Sequence, residues 1–166
     1  MNKPIAIIGA GNGGQAFAGY LSLLGREVKI FDVMQATVDR LTELGGVNIQ
    51  GNSKVTGFGK VTLASTDIGA VMEGSEIILV VLPSIYHKSM AEKMAPHLKD
   101  GQIVVLNPNA SLGPVEFKNT LKNCGCDADV IIVGTSTLLF ACRLLPSPVE
   151  PAGQLRSEVS VSERLR

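Results

Sequence analysis

A doubly wound, mostly parallel α/β sheet is the fold this sequence predicts, and three observations predict it. Short, continuous apolar runs recur along the chain, as strands covered on both faces require. Between them lie segments whose apolar residues repeat at helical spacing. Strict alternation of the two is the order of right-handed β-α-β crossovers, which wrap helices over both faces of one sheet. The chain has 166 residues, 45% hydrophobic and 18% charged. That suffices for one domain with a proper core and is hard to stretch to two.

Residues 5–8 (IAII) open the chain with a β-branched strand. Residues 13–24 follow as a helix with Ala16, Phe17, Tyr20, Leu21 and Leu24 on one stripe, stopped by Gly25. Residues 27–31 form a second strand. Residues 34–44 form a helix that turns Val38, Leu41 and Leu44 inward and ends at Gly45-Gly46. The glycine-punctuated stretch 47–63 reads as short strands and turns, with 61–63 a candidate sheet strand. A short helix near 66–72 precedes the buried strand EIILVVL at 76–82. Ser84 is placed to cap a helix running to about Met94. Residues 103–106 give another strand. Gly113-Pro114, with Glu116 close behind, starts a helix that ends near Asn123, since proline suits the first helical position. Residues 130–133 are the last clear strand, and 136–142 extend the apolar core. From Leu145 the composition changes: Pro146, Pro148 and Pro151 crowd together, and 154–166 is polar with no inward stripe. The expected division is a domain over 1–143 and a tail or truncated linker over 144–166.

Fifteen basic residues balance 15 acidic ones, and no basic run occurs. That argues against nucleic acid or an anionic membrane as partner. The first apolar run is too short for a signal segment or a membrane span. Cys124, Cys126 and Cys142 form no CxxC pair and no zinc set, so no metal is expected. They read as reduced thiols of a cytoplasmic protein.

Residues 9–14, GAGNGG, contain GxGxxG at Gly9, Gly11 and Gly14. The hexapeptide alone is weak evidence. Here a strand precedes it, an amphipathic helix follows it, and Asp32 closes the next strand, which together make the fingerprint of a Rossmann-type dinucleotide site. Gly9 permits a tight turn, Gly11 lets a pyrophosphate approach the backbone, and Gly14 lets helix pack on strand. Asn12 and Gly13 complete the loop at the helix N-terminus, whose free N–H groups and dipole suit phosphates. Asp32 can accept from the adenosine ribose hydroxyls and would repel a 2′-phosphate. No arginine follows it, so NAD(H) is favoured over NADP(H). The rival readings are a plain turn beside a strand end, and an S-adenosylmethionine-binding sheet, whose glycine spacing usually differs.

Ligands of open α/β sheets lie beyond the carboxyl ends of the strands. There Pro83 borders the expected cofactor, and Asn107 and Asn109 are candidates for the nicotinamide ribose or carboxamide, against a reading as turn residues. His87 is expected as a surface or capping histidine and not a general base. His97 is expected at the surface, and Cys142 in packing. Thr135, Ser136 and Thr137 offer hydroxyls at a strand end.

Through GAGNGG, the Ile30-Phe31-Asp32 strand end, VVLPSIYH (80–87), LNPNASLG (106–113) and TSTLLFACR (135–143), the chain resembles opine dehydrogenases over about residues 3–143. Within that family it looks most like the bacterial N-(1-D-carboxyethyl)-L-norvaline dehydrogenase type, one of the octopine/nopaline dehydrogenase-like enzymes. The resemblance implies reductive condensation of an α-keto acid with the amino group of an amino acid at the expense of NAD(P)H. It also implies a helical C-terminal domain holding a general acid/base histidine and its aspartate partner, with substrate between the domains. No position here receives those two residues, so no catalytic residue is assigned, and the chain alone is expected to bind cofactor without turnover. The match fades after Arg143, where a strand-rich continuation is expected and 146–166 does not look like one. The alternatives are a stand-alone nucleotide-binding module and the N-terminal half of a glycerol-3-phosphate or ketopantoate dehydrogenase. Apolar surface left without its partner domain predicts a homo-oligomer.

Overall fold

The computed structural model describes residues 3–51, 53–109, 112–144 and 158–163. Six strands, β1 (Ile5–Ile8), β2 (Val28–Phe31), β5 (Leu63–Ser65), β6 (Ile77–Val80), β7 (Ile103–Leu106) and β8 (Ile131–Gly134), form one sheet in the order β5-β2-β1-β6-β7-β8. Every pairing in it is parallel. The strand order reverses between β1 and β6, so the two halves of the sheet wind in opposite directions, as the alternating pattern predicts.

Helices α3 (Ile68–Met72), α4 (His87–Met94) and α5 (Gly113–Asn123) cover one face, burying Ile8, Ile78, Val80, Val104 and Leu106. Asp67 caps α3 by accepting from the Ala70 N–H at 3.1 Å. The other face packs on α1 (Asn12–Leu23) and α2 (Gln35–Leu44) through Ile5, Ile7, Val28 and Ile30.

A second sheet, whose strands run in the order β4 (Gly57–Lys60), β3 (Gly46–Gln50), β10 (Glu158–Glu163) and β9 (Phe140–Leu144), lies against α1. It joins the hairpin of β3 and β4 to β9 and β10. Helix α1 is thus enclosed on both sides. Its Ala16, Phe17 and Ala18 share a core with Val47, Ile49, Phe140 and Val159. Small residues make this possible: a Cβ on Gly59 would come within 2.7 Å of the Gly19 Cα. Phe140 meets the Phe17 ring edge-on at 4.9 Å and Tyr20 at 5.0 Å. Phe140→Ala is therefore expected to destabilise the chain by about 3–5 kcal/mol, read as a lower denaturation midpoint in urea; a change under about 1 kcal/mol would mean that the second sheet does not close this core.

Four sequence expectations are corrected. Leu24 leaves the inward stripe: α1 ends at Leu23, and Leu24 caps it, 54% exposed. The strand placed at 61–63 begins at Leu63, because Val61 and Thr62 link β4 to β5 by bonding Gly45 and Val28 carbonyls. Ser84 caps no helix; it opens a tight turn, Ser84–Tyr86, that leads into α4. Within the stretch read as a tail, Glu158–Glu163 is a strand with Val159 fully buried; the inward residue is missed because its neighbours are polar.

Candidate functional site

The glycine loop runs from the end of β1 into α1. Gly9 has φ +104°, and a Cβ there would fall 2.8 Å from the Val81 carbonyl oxygen. Only glycine combines that backbone with that neighbour. A Cβ on Gly14 would collide with the Gly9 carbonyl, and one on Gly13 would press Val81 Cγ1 at 2.9 Å. Gly11 differs: nothing lies within 4 Å of its Cβ direction. Gly9, Gly13 and Gly14 are held by close packing, whereas Gly11 faces open space above the helix N-terminus. The first amide of α1 to bond back is Gln15, to the Gly11 carbonyl at 3.0 Å. The N–H groups before it in the first turn have no partner within the helix. Open space and unbonded amides meet the needs of a bound pyrophosphate.

Asp32 ends β2 half-buried beside this loop. Its Oδ2 accepts from the Ala10 N–H at 2.7 Å and its Oδ1 from the Met34 N–H at 2.9 Å. The carboxylate is thereby aimed by the loop it adjoins. A cleft of about 360 Å³ opens next to it, lined among others by Gly9, Val33, Leu82, Tyr86, Met90 and Lys93. Its apolar walls and single carboxylate suit a purine nucleoside. Leu82 lines this cleft; Pro83 stands exposed just outside, at the start of the Ser84–Tyr86 turn.

Asn12 does other work than the loop position suggests. Its Oδ1 accepts from the Leu144 N–H at 2.9 Å, tying the loop to the end of β9. Gln15, which the sequence reading passes over, is fully buried and donates from Nε2 to the Ala10 carbonyl at 2.7 Å, bracing the loop from below. A glutamine directly after the glycines is its one sequence signal.

At the other half of the sheet, Asn107 and Asn109 are 1% and 6% exposed. The Asn107 amide donates to Thr135 Oγ1 at 2.7 Å, and the Asn109 backbone N–H donates to the Thr135 carbonyl at 2.7 Å. Thr135 therefore ties the β7–α5 loop to the end of β8; Ser136 and Thr137 are exposed. His87, expected as a surface or capping histidine, is corrected to a buried one, 2% exposed beneath this loop. Burial holds its pKa below the ordinary value of 6.5, against an opposing hydrogen bond to Leu82 and the charge of Glu116. The unfolded chain takes up that proton more readily, so this contribution to stability is whole above about pH 6.5 and is lost as the pH falls below it. His97 is exposed. Cys142 packs against the α1 core, and burial raises its thiol pKa, which makes it a poor nucleophile. No metal-binding group of acids, histidines and cysteines, and no helix long and apolar enough to cross a membrane, occurs among the described residues.

Residues 4–113 match the family described as NAD-dependent glycerol-3-phosphate dehydrogenase N-terminus. The opine dehydrogenase of Arthrobacter sp. (strain 1C) is 36% identical over 142 residues, 86% of this chain and 39% of that protein. A glycerol-3-phosphate dehydrogenase [NAD(P)+] of Agathobacter rectalis is 32% identical over 97% of this chain and 48% of its own length. Octopine dehydrogenase, solved with NADH and agmatine, superposes with a TM-score of 0.79 at 20% identity, over 97% of this chain and 40% of that one. The chain thus spans less than half the length of these relatives, and the likeness to the solved fold continues past Arg143, where the sequence match was expected to fade.

Proposed function

The chain belongs to the NAD-dependent glycerol-3-phosphate dehydrogenase N-terminus family, and from that membership together with the 36% identity to an opine dehydrogenase we propose that it is the cofactor-binding half of an NAD(H)-dependent oxidoreductase of the opine dehydrogenase kind. It carries the NAD-binding domain that opine and glycerol-3-phosphate dehydrogenases share. The observation that carries the proposal is the Asp32 carboxylate, bonded to the glycine loop at 2.7 Å beside an open helix N-terminus and an apolar cleft. In this reading the amides around Gly11 to Gly14 hold the pyrophosphate and Asp32 takes the adenosine ribose. Gly9 shapes the turn, Asn12 anchors the loop, Pro83 borders the cofactor, and Asn107 lies at its nicotinamide end. Bound NADH would supply hydride to the imine formed, with loss of water, from an α-keto acid and an amino acid.

No described residue is assigned to protonating or holding that imine, which are the steps that proton transfer and positioning would have to supply. The expected result is saturable NADH binding by calorimetry and no NADH oxidation with pyruvate and an L-amino acid. Turnover by the chain alone would overturn the division of labour, and absence of binding would overturn the site. The family match itself favours a second reading, the N-terminal half of a glycerol-3-phosphate dehydrogenase; dihydroxyacetone phosphate in place of the keto acid and amine tests it once a catalytic domain is supplied.

Three free thiols support a reducing, cytoplasmic setting. A homo-oligomer is proposed through β8. This edge strand leaves Ile131 and Val133 57% and 41% exposed on a parallel sheet, and its sequence IIVG brings no charge to protect the edge. Val133→Lys is expected to shift the chain to monomer in light scattering. An oligomer of unchanged mass would remove β8 from the interface.

A further inference from the structure

His87 occupies the first position of α4, buried, with a ring nitrogen engaged on each side. Nε2 lies 3.0 Å from the Leu82 carbonyl oxygen, and Nδ1 lies 3.2 Å from Asn109 Nδ2. A carbonyl oxygen only accepts, so Nε2 carries the hydrogen. A neutral imidazole has one N–H, which makes Nδ1 an acceptor and Asn109 its donor. The Asn109 amide is therefore oriented, nitrogen toward His87 and oxygen away. That oxygen is buried without a donor among the described residues, and so is Oδ1 of Asn107. Buried carbonyl oxygens are rarely left so, and a pair of them on one loop marks a place for a ligand's N–H. Both lie beyond β7, on the far side of the strand-order reversal from Asp32. A dinucleotide laid from Asp32 across that reversal brings its nicotinamide there.

We propose that His87 is a positioning residue for the nicotinamide end of the bound dinucleotide: by accepting from Asn109 Nδ2, it turns the Asn109 amide oxygen to the carboxamide N–H₂ of the nicotinamide, beside the Asn107 oxygen that Thr135 orients. This rests on the cofactor reading above. Protonation puts a hydrogen on Nδ1, donor against donor. The Asn109 amide then turns its oxygen to the imidazolium, and the carboxamide loses an acceptor. Of the charged groups around His87, Glu116 of α5 favours the imidazolium, Lys88 follows it on α4, and β6, β7 and β8 (IILV, IVVL, IIVG) bring none.

Calorimetric titration of the whole chain with acid-stable NAD⁺ and with ADP-ribose, which lacks nicotinamide, at about pH 8 and about pH 5 tests the proposal. In the wild type, NAD⁺ affinity is expected to fall about tenfold on acidification, while ADP-ribose affinity stays level. His87→Gln keeps a polar group that does not titrate, so its NAD⁺ affinity should not change with pH. Asn109→Ala should bind NAD⁺ at the weaker affinity at both pH values, and it serves alone if His87→Gln does not fold. A parallel fall for both ligands, a level NAD⁺ affinity in the wild type, or a pH slope that survives in either variant would overturn the proposal. Failure of both ligands to bind at about pH 8 would overturn the cofactor reading on which it stands.

Discussion

Replacing Gly14 with alanine should cost the chain a large share of its stability, while the same replacement at Gly11 should leave the fold intact and weaken cofactor binding. The two glycines sit three residues apart in one loop and look interchangeable in sequence. At Gly14 the new Cβ would overlap the backbone carbonyl of Gly9. Backbone cannot swing aside as a side chain does, so α1 would have to lift off β1 and drag both sheets with it. The cost should exceed about 3 kcal/mol, the upper part of the overpacking range, against a total stability of about 5–15 kcal/mol. The thermal midpoint should drop by about 6–12 °C. At Gly11 the Cβ meets nothing, so the midpoint should hold while NADH affinity falls about tenfold or more, because the methyl occupies the space a pyrophosphate needs. Equal melting of wild type and Gly14→Ala would show that α1 does not pack on the loop as described. Unchanged NADH affinity in Gly11→Ala would move the pyrophosphate elsewhere.

Asp32→Ala should be the most damaging change to binding that spares the core. The carboxylate accepts from Ala10 and Met34 amides at 2.7 and 2.9 Å, so it both steadies the loop and presents charge to the cleft. Hydrogen bonds to a charged group contribute about 1.5–3 kcal/mol, which sets the expected loss of NADH affinity at about 10- to 100-fold. NADPH should lose less, because the charge that opposes its 2′-phosphate leaves as well, and the preference for NADH should narrow. Asp32→Asn, which keeps the shape and one acceptor, should fall between. A preference unchanged in Asp32→Ala would take cofactor choice away from this residue and direct attention to Lys93, the cation lining the same cleft.

The large sheet was legible in the sequence because its central strands are covered on both faces and so carry uninterrupted apolar runs; IAII and EIILVVL could be little else. The glycine loop and Asp32 were legible because local backbone geometry fixes their spacing. The second sheet was not. β10 reads EVSVSE, polar except at alternate positions, and only its pairing with β3 and β9 gives Val159 a core to enter. The far side of α1 was hidden for a related reason: alanine and glycine carry no amphipathic signal, yet they are what a helix needs when strands press on both its sides. His87 was misplaced because its partner, Asn109, lies 22 residues on and returns to it only through the packing of α4 against α5.

The bond from the Leu144 N–H to Asn12 Oδ1 joins residues 132 apart in sequence. One end lies in the glycine loop and the other at the end of β9. A ligand that stiffens the loop should therefore slow deuterium uptake at the Leu144 amide, well outside its own footprint. Anything that pulls on the end of β9 should be felt as slack or tension in the glycine loop.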